Sequence, residues 1–251
     1  MVAQARGVLS GVAAARLAAR RSGLRVVRSS REGTSVRPGQ AVLTVRGDAR
    51  AILAAERTIL NLLMHASGVA TATARAVRAA RRGRPTLEVL ATRKTLPGLR
   101  ALEKAAVVHG GGSPHRRDLA DAILVKSNHL ALVGLETAVL RARQAVRPGE
   151  PVEVEVRSAH EARRAARAGA TVLLIDNASP RRARRIVQTL RREGLRSGVR
   201  VELSGGITAA NLGRYRAVGA DAVSLGALTH SAPALPFHLR LRPLGLRQPP
   251  A

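Results

Sequence analysis

The stretch VEVEVRSAHEARRAARAGATVLLID, residues 152–176, decides the fold. Its opening residues alternate, so Glu153, Glu155 and Arg157 share one face of a strand and Val152, Val154 and Val156 share the other. SAHEARRAARAGA (158–170) then takes helical spacing, and TVLLID (171–176) returns as a second strand that ends in Asp176. Strand, helix, strand at this spacing reads as a right-handed βα unit in a parallel sheet.

The same rhythm extends outward in both directions. Strand-like runs stand at TLEVLA (86–91), AILVK (122–126), RVELS (200–204) and DAVSLG (221–226), and SPRRARRIVQTLRREG (179–194) is another helical stretch. With these six strands and a further one expected around 106–109, the pattern predicts an α/β barrel in preference to an open doubly wound sheet. Upstream, residues 8–28 are predicted to form a first helix. SSREGTSVRPGQAVLTVRGDAR (29–50) reads as short antiparallel strands broken at turn residues. From Ala49 to about Arg82 the pattern is helical, with a hinge expected near Ser67-Gly68.

The chain has 251 residues and carries a formal net charge of +27, which invites a nucleic-acid reading. Two features argue against it. The arginines are spread over nearly every helical stretch, and Tyr215 and Phe237, the only aromatics, cannot form a stacking platform. Specific nucleic-acid binding is therefore not expected, although polyanions at low salt should adhere. No apolar run approaches the length of a membrane span. The absence of cysteine excludes disulfides and suits a cytoplasmic protein. The Arg- and Ala-rich N-terminus is read as an ordinary amphipathic helix and not as a transit peptide. No pair of histidines has the spacing of a zinc site.

Polar residues collect at the C-terminal ends of the strands, the mouth where barrels build active sites. Arg93 and Lys94 follow the first run, Lys126 ends the second, and Glu155 and Asp176 come next. Ser204, Gly205 and Gly206 end the fifth run and Gly226 the sixth. SGGIT (204–208), opening an expected helix over 207–219, and the glycine-rich GGGSPHRR (110–117) are candidate anion nests. Glu153 and Glu155, and Glu202 with Ser204, should face the lumen. Cations, carboxylates and anion nests at one mouth suit a substrate with phosphates and carboxylates, together with Mg²⁺, a hard cation that favours oxygen ligands. Only three of the 43 basic residues are lysine, and Lys94, Lys104 and Lys126 fall within 33 positions. Where arginine was accepted nearly everywhere, a retained lysine marks a place that needs a slim stem and a point charge. His65, His129 and Lys104 are read equally well as residues making structural hydrogen bonds.

ERTILNLLMHASGVATAT (56–73), TRKTLPGLRALEKAAVVHGGGSPHR (92–116), AILVKSNH (122–129), VEVEV, LIDN (174–177), ELSGGIT (202–208) and SLGALTHSAPALPF (224–237) resemble, in order, the quinolinate phosphoribosyltransferases. The resemblance implies an irregular parallel α/β barrel over 67–232. It also implies an N-terminal α/β sandwich over 1–66, completed by 233–251, and a homodimer or higher homo-oligomer with shared sites. It implies transfer of phosphoribose from phosphoribosyl pyrophosphate to quinolinate with decarboxylation, in NAD synthesis. Arg57 would reach across the dimer to quinolinate, with Arg93, Lys94, His115, Arg116 and Lys126 lining its pocket. Glu155 and Asp176 would hold the ribose hydroxyls and Mg²⁺. Ser204, Gly205, Gly226 and His230 would bind phosphate, and the catalytic set would be Lys94, Lys126, Glu155 and Asp176. The chain starts inside the N-terminal region of many members, and Ala91, Ser127 and Arg157 stand where many carry acids. The neighbouring reading is a ModD-like relative with another substrate, and the non-enzymatic one is an arginine-rich barrel that binds polyanions.

Overall fold

The computed structural model describes residues 1–82 and 86–243. The end of the segment expected to complete the first domain, residues 244–251, lies outside the described residues. The chain divides into two compact units, Met1–Thr71 with Pro233–Ala251, and Ala72–Ala232.

In the first unit, β1 (Val2–Ala3), β2 (Gly7–Val8), α1 (Val12–Arg21), β3 (Arg25–Ser29), β4 (Ser35–Val36) and β5 (Leu43–Arg46) precede the long helix α2 (Ala49–Arg81). The last strand of the chain, β12 (Phe237–His238), pairs antiparallel with β1, and β2–β4 and β3–β5 form two further antiparallel pairs. The first helix is shorter than the expected 8–28. It starts after Gly11, at φ 84°, and is followed by Gly23, at φ 73°, so LRVV leaves the helix and becomes strand. Ile59, Leu63, Leu9, Val12 and Leu43 close an aliphatic core to which Phe237 adds the one ring. Each such burial contributes about 1.5–3 kcal/mol.

The hinge expected at Ser67-Gly68 is absent, since α2 runs unbroken through it. Ser67 instead donates its hydroxyl to Ser10 O and accepts Ser10 N–H, both at 3.0 Å. Gly68 is needed for close approach, because a Cβ there would stand 2.3 Å from Pro233 O. Gly68→Ala is expected to cost about 1–3 kcal/mol, read as a lower midpoint in urea unfolding. An unchanged midpoint would show that the 233–234 segment can retreat freely.

The second unit holds β6 (Glu88–Leu90), α3 (Arg100–His109), β7 (Ile123–Val125), α4 (Ser127–Val133), α5 (Leu135–Ala145), β8 (Val152–Val156) and α6 (Ala159–Ala168). After these come β9 (Val172–Asp176), α7 (Pro180–Arg192), β10 (Arg200–Ser204), β11 (Ala222–Ser224) and α8 (Ala227–His230). All six strands are parallel, in the order β6-β11-β10-β9-β8-β7, which is the cyclic order of a barrel opened between β6 and β7. One face of the sheet, with Val154, Leu173, Ile175, Val201, Leu203 and Val223, packs with Ala162, Ala165, Ile186 and Leu190 of the helices. The alternate residues, Glu153, Glu155, Leu174, Asp176, Glu202 and Ser204, turn to the other side.

The extra strand expected at 106–109 is helical. Glu103, Lys104, Ala106 and Val107 form the buried stripe of α3 while Val108 is half exposed, a period of 3.6 and not 2. The strand-like contact comes a few residues later. Ser113 N–H donates to Val89 O at 2.8 Å and Ala91 N–H to Ser113 O at 3.0 Å, so this short segment covers the free edge of β6. The helix expected over 207–219 is reduced to a 3₁₀ segment, Leu212–Val218. Among the described residues no helix is long and apolar enough to cross a membrane.

Candidate active site

Because the six strands are parallel, their C-terminal ends share one rim, and the loops leaving them carry most of the residues singled out in the sequence. The structure gathers these into three neighbourhoods. At the β6 and β11 ends, Lys94 N–H donates to Thr92 Oγ1 at 3.1 Å and Lys94 O accepts the Thr229 hydroxyl at 2.7 Å. A Cβ on Gly226 would stand 3.0 Å from His230 Nε2 and 3.2 Å from Lys94 Cδ, so the bare glycine makes room for both side chains.

At the β9 and β10 ends, Ser204 pairs in register with Asp176. Asp176 Oδ2 accepts the Asn177 amide at 2.8 Å, and Asn177 N–H donates to Ser204 O at 3.0 Å. Gly205, at φ 86°, is irreplaceable sterically, since a Cβ would fall 2.2 Å from Asn177 Oδ1. Glu155, on β8 beside these, has Arg157 Nη2 at 3.3 Å from Oε1. Arg157 thus takes up one oxygen of this carboxylate.

The third neighbourhood lies in the lumen. Just past the Ser113 edge segment the chain turns at His115, whose φ of 52° lies in the left-handed region, uncommon outside glycine although histidine is among the residues that enter it. His115 Nε2 stands 3.3 Å from Glu202 Oε2 and 3.5 Å from Glu153 Oε2. Burial alone would push the imidazole down, but hydrogen bonds to Glu153 and Glu202, and their charges, outweigh it and raise it to about 9. In the neutral ring Nδ1 accepts the Arg116 N–H at 2.7 Å and the one ring proton sits on Nε2, between the carboxylates, so taking up a second proton costs the Arg116 contact. The three side chains also form the one group among the described residues whose ligand atoms could surround a metal. A ring whose Nε2 proton is shared between two carboxylates is their hydrogen-bond donor, and at that nitrogen a poor metal ligand.

Cations crowd the other side of this loop. Lys104 Nζ, on a side chain only 3% exposed, donates to Pro114 O and, at 3.0 Å, to Arg116 O. Burial, then Arg100, Arg116 and Arg93, lower it to about 8. Arg116 is held below its ordinary value by burial, with Glu153 opposing and Arg93 adding to the shift. Arg93 Nε is buried and, among the described residues, lacks a hydrogen-bond partner. Positive charges thus stand close together around a guanidinium whose buried Nε has no partner among the described residues, an arrangement that an anion would relieve.

Lys126 is exposed at the β7 end, its N–H given to His129 Nδ1 at 2.9 Å, which is the structural role of that histidine. Arg57 belongs to the first unit, on the exposed face of α2. The GGG run is not an anion nest. Gly110 caps α3, Gly111 turns at φ 83°, and Gly112 sits where a Cβ would be 2.8 Å from Thr73 Cγ2. Glu202, Asn177 and Thr229 were not singled out as site residues. Lys104 had a signal that the sequence carried, since Glu103 and Lys104 share a helical stripe with Val107.

The quinolinate phosphoribosyl transferase C-terminal domain matches residues 69–240, and the N-terminal domain of the same family matches residues 1–67. The chain belongs to the quinolinate phosphoribosyltransferase family. A probable carboxylating nicotinate-nucleotide pyrophosphorylase of Archaeoglobus fulgidus is 41% identical over 241 residues, covering 96% of this chain and 93% of that protein. The carboxylating nicotinate-nucleotide pyrophosphorylase of Homo sapiens is 44% identical over 211 residues, 84% of this chain and 70% of that one. Among solved structures, NadC from Streptococcus pyogenes superposes with a TM-score of 0.82 at 36% identity, over 94% of this chain and 82% of that chain. As in other members of the family, the barrel is irregular and parallel and the N-terminal domain carries small antiparallel strands.

Proposed function

We propose that the chain is a quinolinate phosphoribosyltransferase, joining quinolinate to phosphoribosyl pyrophosphate and releasing pyrophosphate and CO2 to leave nicotinate mononucleotide in NAD biosynthesis. The observation that carries this reading is the rim itself, where crowded cations around Arg93 stand across from the carboxylates Glu155 and Asp176. A dicarboxylate needs the first, and a ribose ring that gains positive charge needs the second.

The quinolinate nitrogen attacks C1 of the ribose as the bond to pyrophosphate breaks. Arg93, Lys94, Arg116 and Lys126 neutralise the two ring carboxylates, with Arg57 reaching in from a second copy of the chain and His115 lining the pocket. Glu155 and Asp176 hold the ribose hydroxyls, and Ser204, Gly205, Gly226 and His230 receive the 5′-phosphate. Lys94 and Lys126 also offset the charge of the leaving pyrophosphate. When the 2-carboxylate departs as CO2, its electron pair stays on the ring carbon beside the positive nitrogen and then takes a proton from water. The protein positions and neutralises, and no side chain forms a covalent intermediate.

Mg²⁺ fits Glu155 and Asp176. Among the described residues each carboxylate has a side-chain partner on only one oxygen, and a two-carboxylate oxygen set suits an ion that arrives with a phosphorylated substrate. When bound, the ion would neutralise pyrophosphate oxygens. The protein acts as a homodimer in the cytoplasm on this reading, without a nucleic-acid partner.

The test is an assay of purified protein with phosphoribosyl pyrophosphate, Mg²⁺ and either quinolinate or nicotinate, following nicotinate mononucleotide. Product from quinolinate alone is expected. Product from neither substrate, in folded dimeric protein, would turn the reading towards a relative with a different acceptor.

A further inference from the structure

Glu153 and Glu202 stand apart from the rim carboxylates. Each is 3% exposed, deep on the inward face of β8 and β10, and β9 lies between them. Glu153 Oε1 is buried without a partner among the described residues. Two carboxylates so placed are expensive for a fold that could fill the lumen with aliphatic side chains, as Leu174 does on the intervening strand. Stability is therefore a poor reason for their presence.

What they hold is one side chain. Both direct an oxygen at His115 Nε2, while the same ring receives the Arg116 N–H on Nδ1. From the opposite side Lys104 takes the carbonyls of Pro114 and Arg116, the residues before and after His115. Residues 114–116 are thus gripped by an ammonium on the main chain and by two carboxylates through the ring. With both ring nitrogens committed, His115 cannot also swing to follow a substrate. A turn at φ 52° persists only when its surroundings over-determine it, and these do.

We infer that Glu153 and Glu202 are positioning residues for phosphoribosyl transfer, acting through His115 to fix the segment that delivers Arg116 to the acceptor pocket. This rests on the function proposed above. The acceptor's binding depends on them, and the donor's phosphate does not, because the phosphate-binding residues follow β10 and β11 in loops other than 114–116.

The experiment is steady-state kinetics of Glu202→Gln, Glu153→Gln, His115→Gln and the Glu202→Gln/His115→Gln pair, varying quinolinate and phosphoribosyl pyrophosphate separately. Both glutamate variants are expected to raise the quinolinate KM about 10-fold with little change in the phosphoribosyl pyrophosphate KM. The double variant should match His115→Gln alone, since the glutamate has nothing left to hold. A fall in kcat with both KM values unchanged, tracking a loss of folded protein, would mark a merely structural role and overturn the inference. Should Glu202→Gln fold poorly, Glu153→Gln gives the same split on its own. Independent, multiplicative effects of Glu202→Gln and His115→Gln would also overturn it. An inactive parent enzyme would remove the proposed function and this inference together, whereas an active parent with unmoved variants removes only the inference.

Discussion

Lys94→Arg is expected to lower kcat/KM about 100-fold while stability stays within about 0.5 kcal/mol of the parent. The charge is unchanged, so the whole effect must come from shape. The Lys94 backbone is fixed at both ends, by Thr92 on its N–H and Thr229 on its carbonyl, so the stem cannot leave by a different route. That stem passes the bare α-carbon of Gly226 beside His230. A planar guanidinium begins where lysine still has a narrow methylene, and here it would press on the glycine backbone proposed to receive phosphate. Parallel measurement of turnover and thermal midpoint separates the outcomes. Parent-like turnover would show that the ammonium was kept by chance. Lost turnover with a collapsed midpoint would show that Lys94 is a packing residue.

Lysine retention also shows how much of the site could be read without a structure. The barrel was legible because each strand is a short β-rich run followed by Ala/Arg helix, and because VEVEV states its two faces directly. The rim residues were legible because chain order and strand polarity alone bring Lys94, Lys126, Glu155, Asp176, Ser204 and Gly226 to one end. The lumen was only half legible. Glu153 and Glu202 could be seen to face inward, but their partner His115 arrives through the β6–β7 opening from a segment that forms no strand, and nothing local predicts that path. The misread elements share one cause, tertiary packing overriding local preference. Gly68 looks like a hinge until Pro233 is placed against it, and the GGG run looks like a nest until Thr73 and Val107 fill its surroundings. AAVVH looks like a strand because its valines are adjacent, yet only one of the two is buried.

Arg57→Ala and Lys126→Ala are each expected to abolish most activity alone, by about 1,000-fold at low quinolinate, and to recover about a quarter of it together when coexpressed. Arg57 is exposed on α2 in the first unit and Lys126 is exposed at the β7 end of the second, so neither loss should unfold the chain. If a two-fold dimer lends Arg57 of one copy to the barrel of the other, a mixed dimer contains one site with both residues intact and one with neither. Random pairing makes half the dimers mixed, and half of their sites are whole, which gives the quarter. If instead both residues served a site within one copy, every site would carry one lesion and mixing would restore nothing. Differently tagged subunits purified in tandem isolate the mixed dimer. Activity in that fraction near half of the parent supports a site built from two chains. Its absence in a verified mixed dimer would confine the reaction to a single barrel and remove Arg57 from the acceptor pocket.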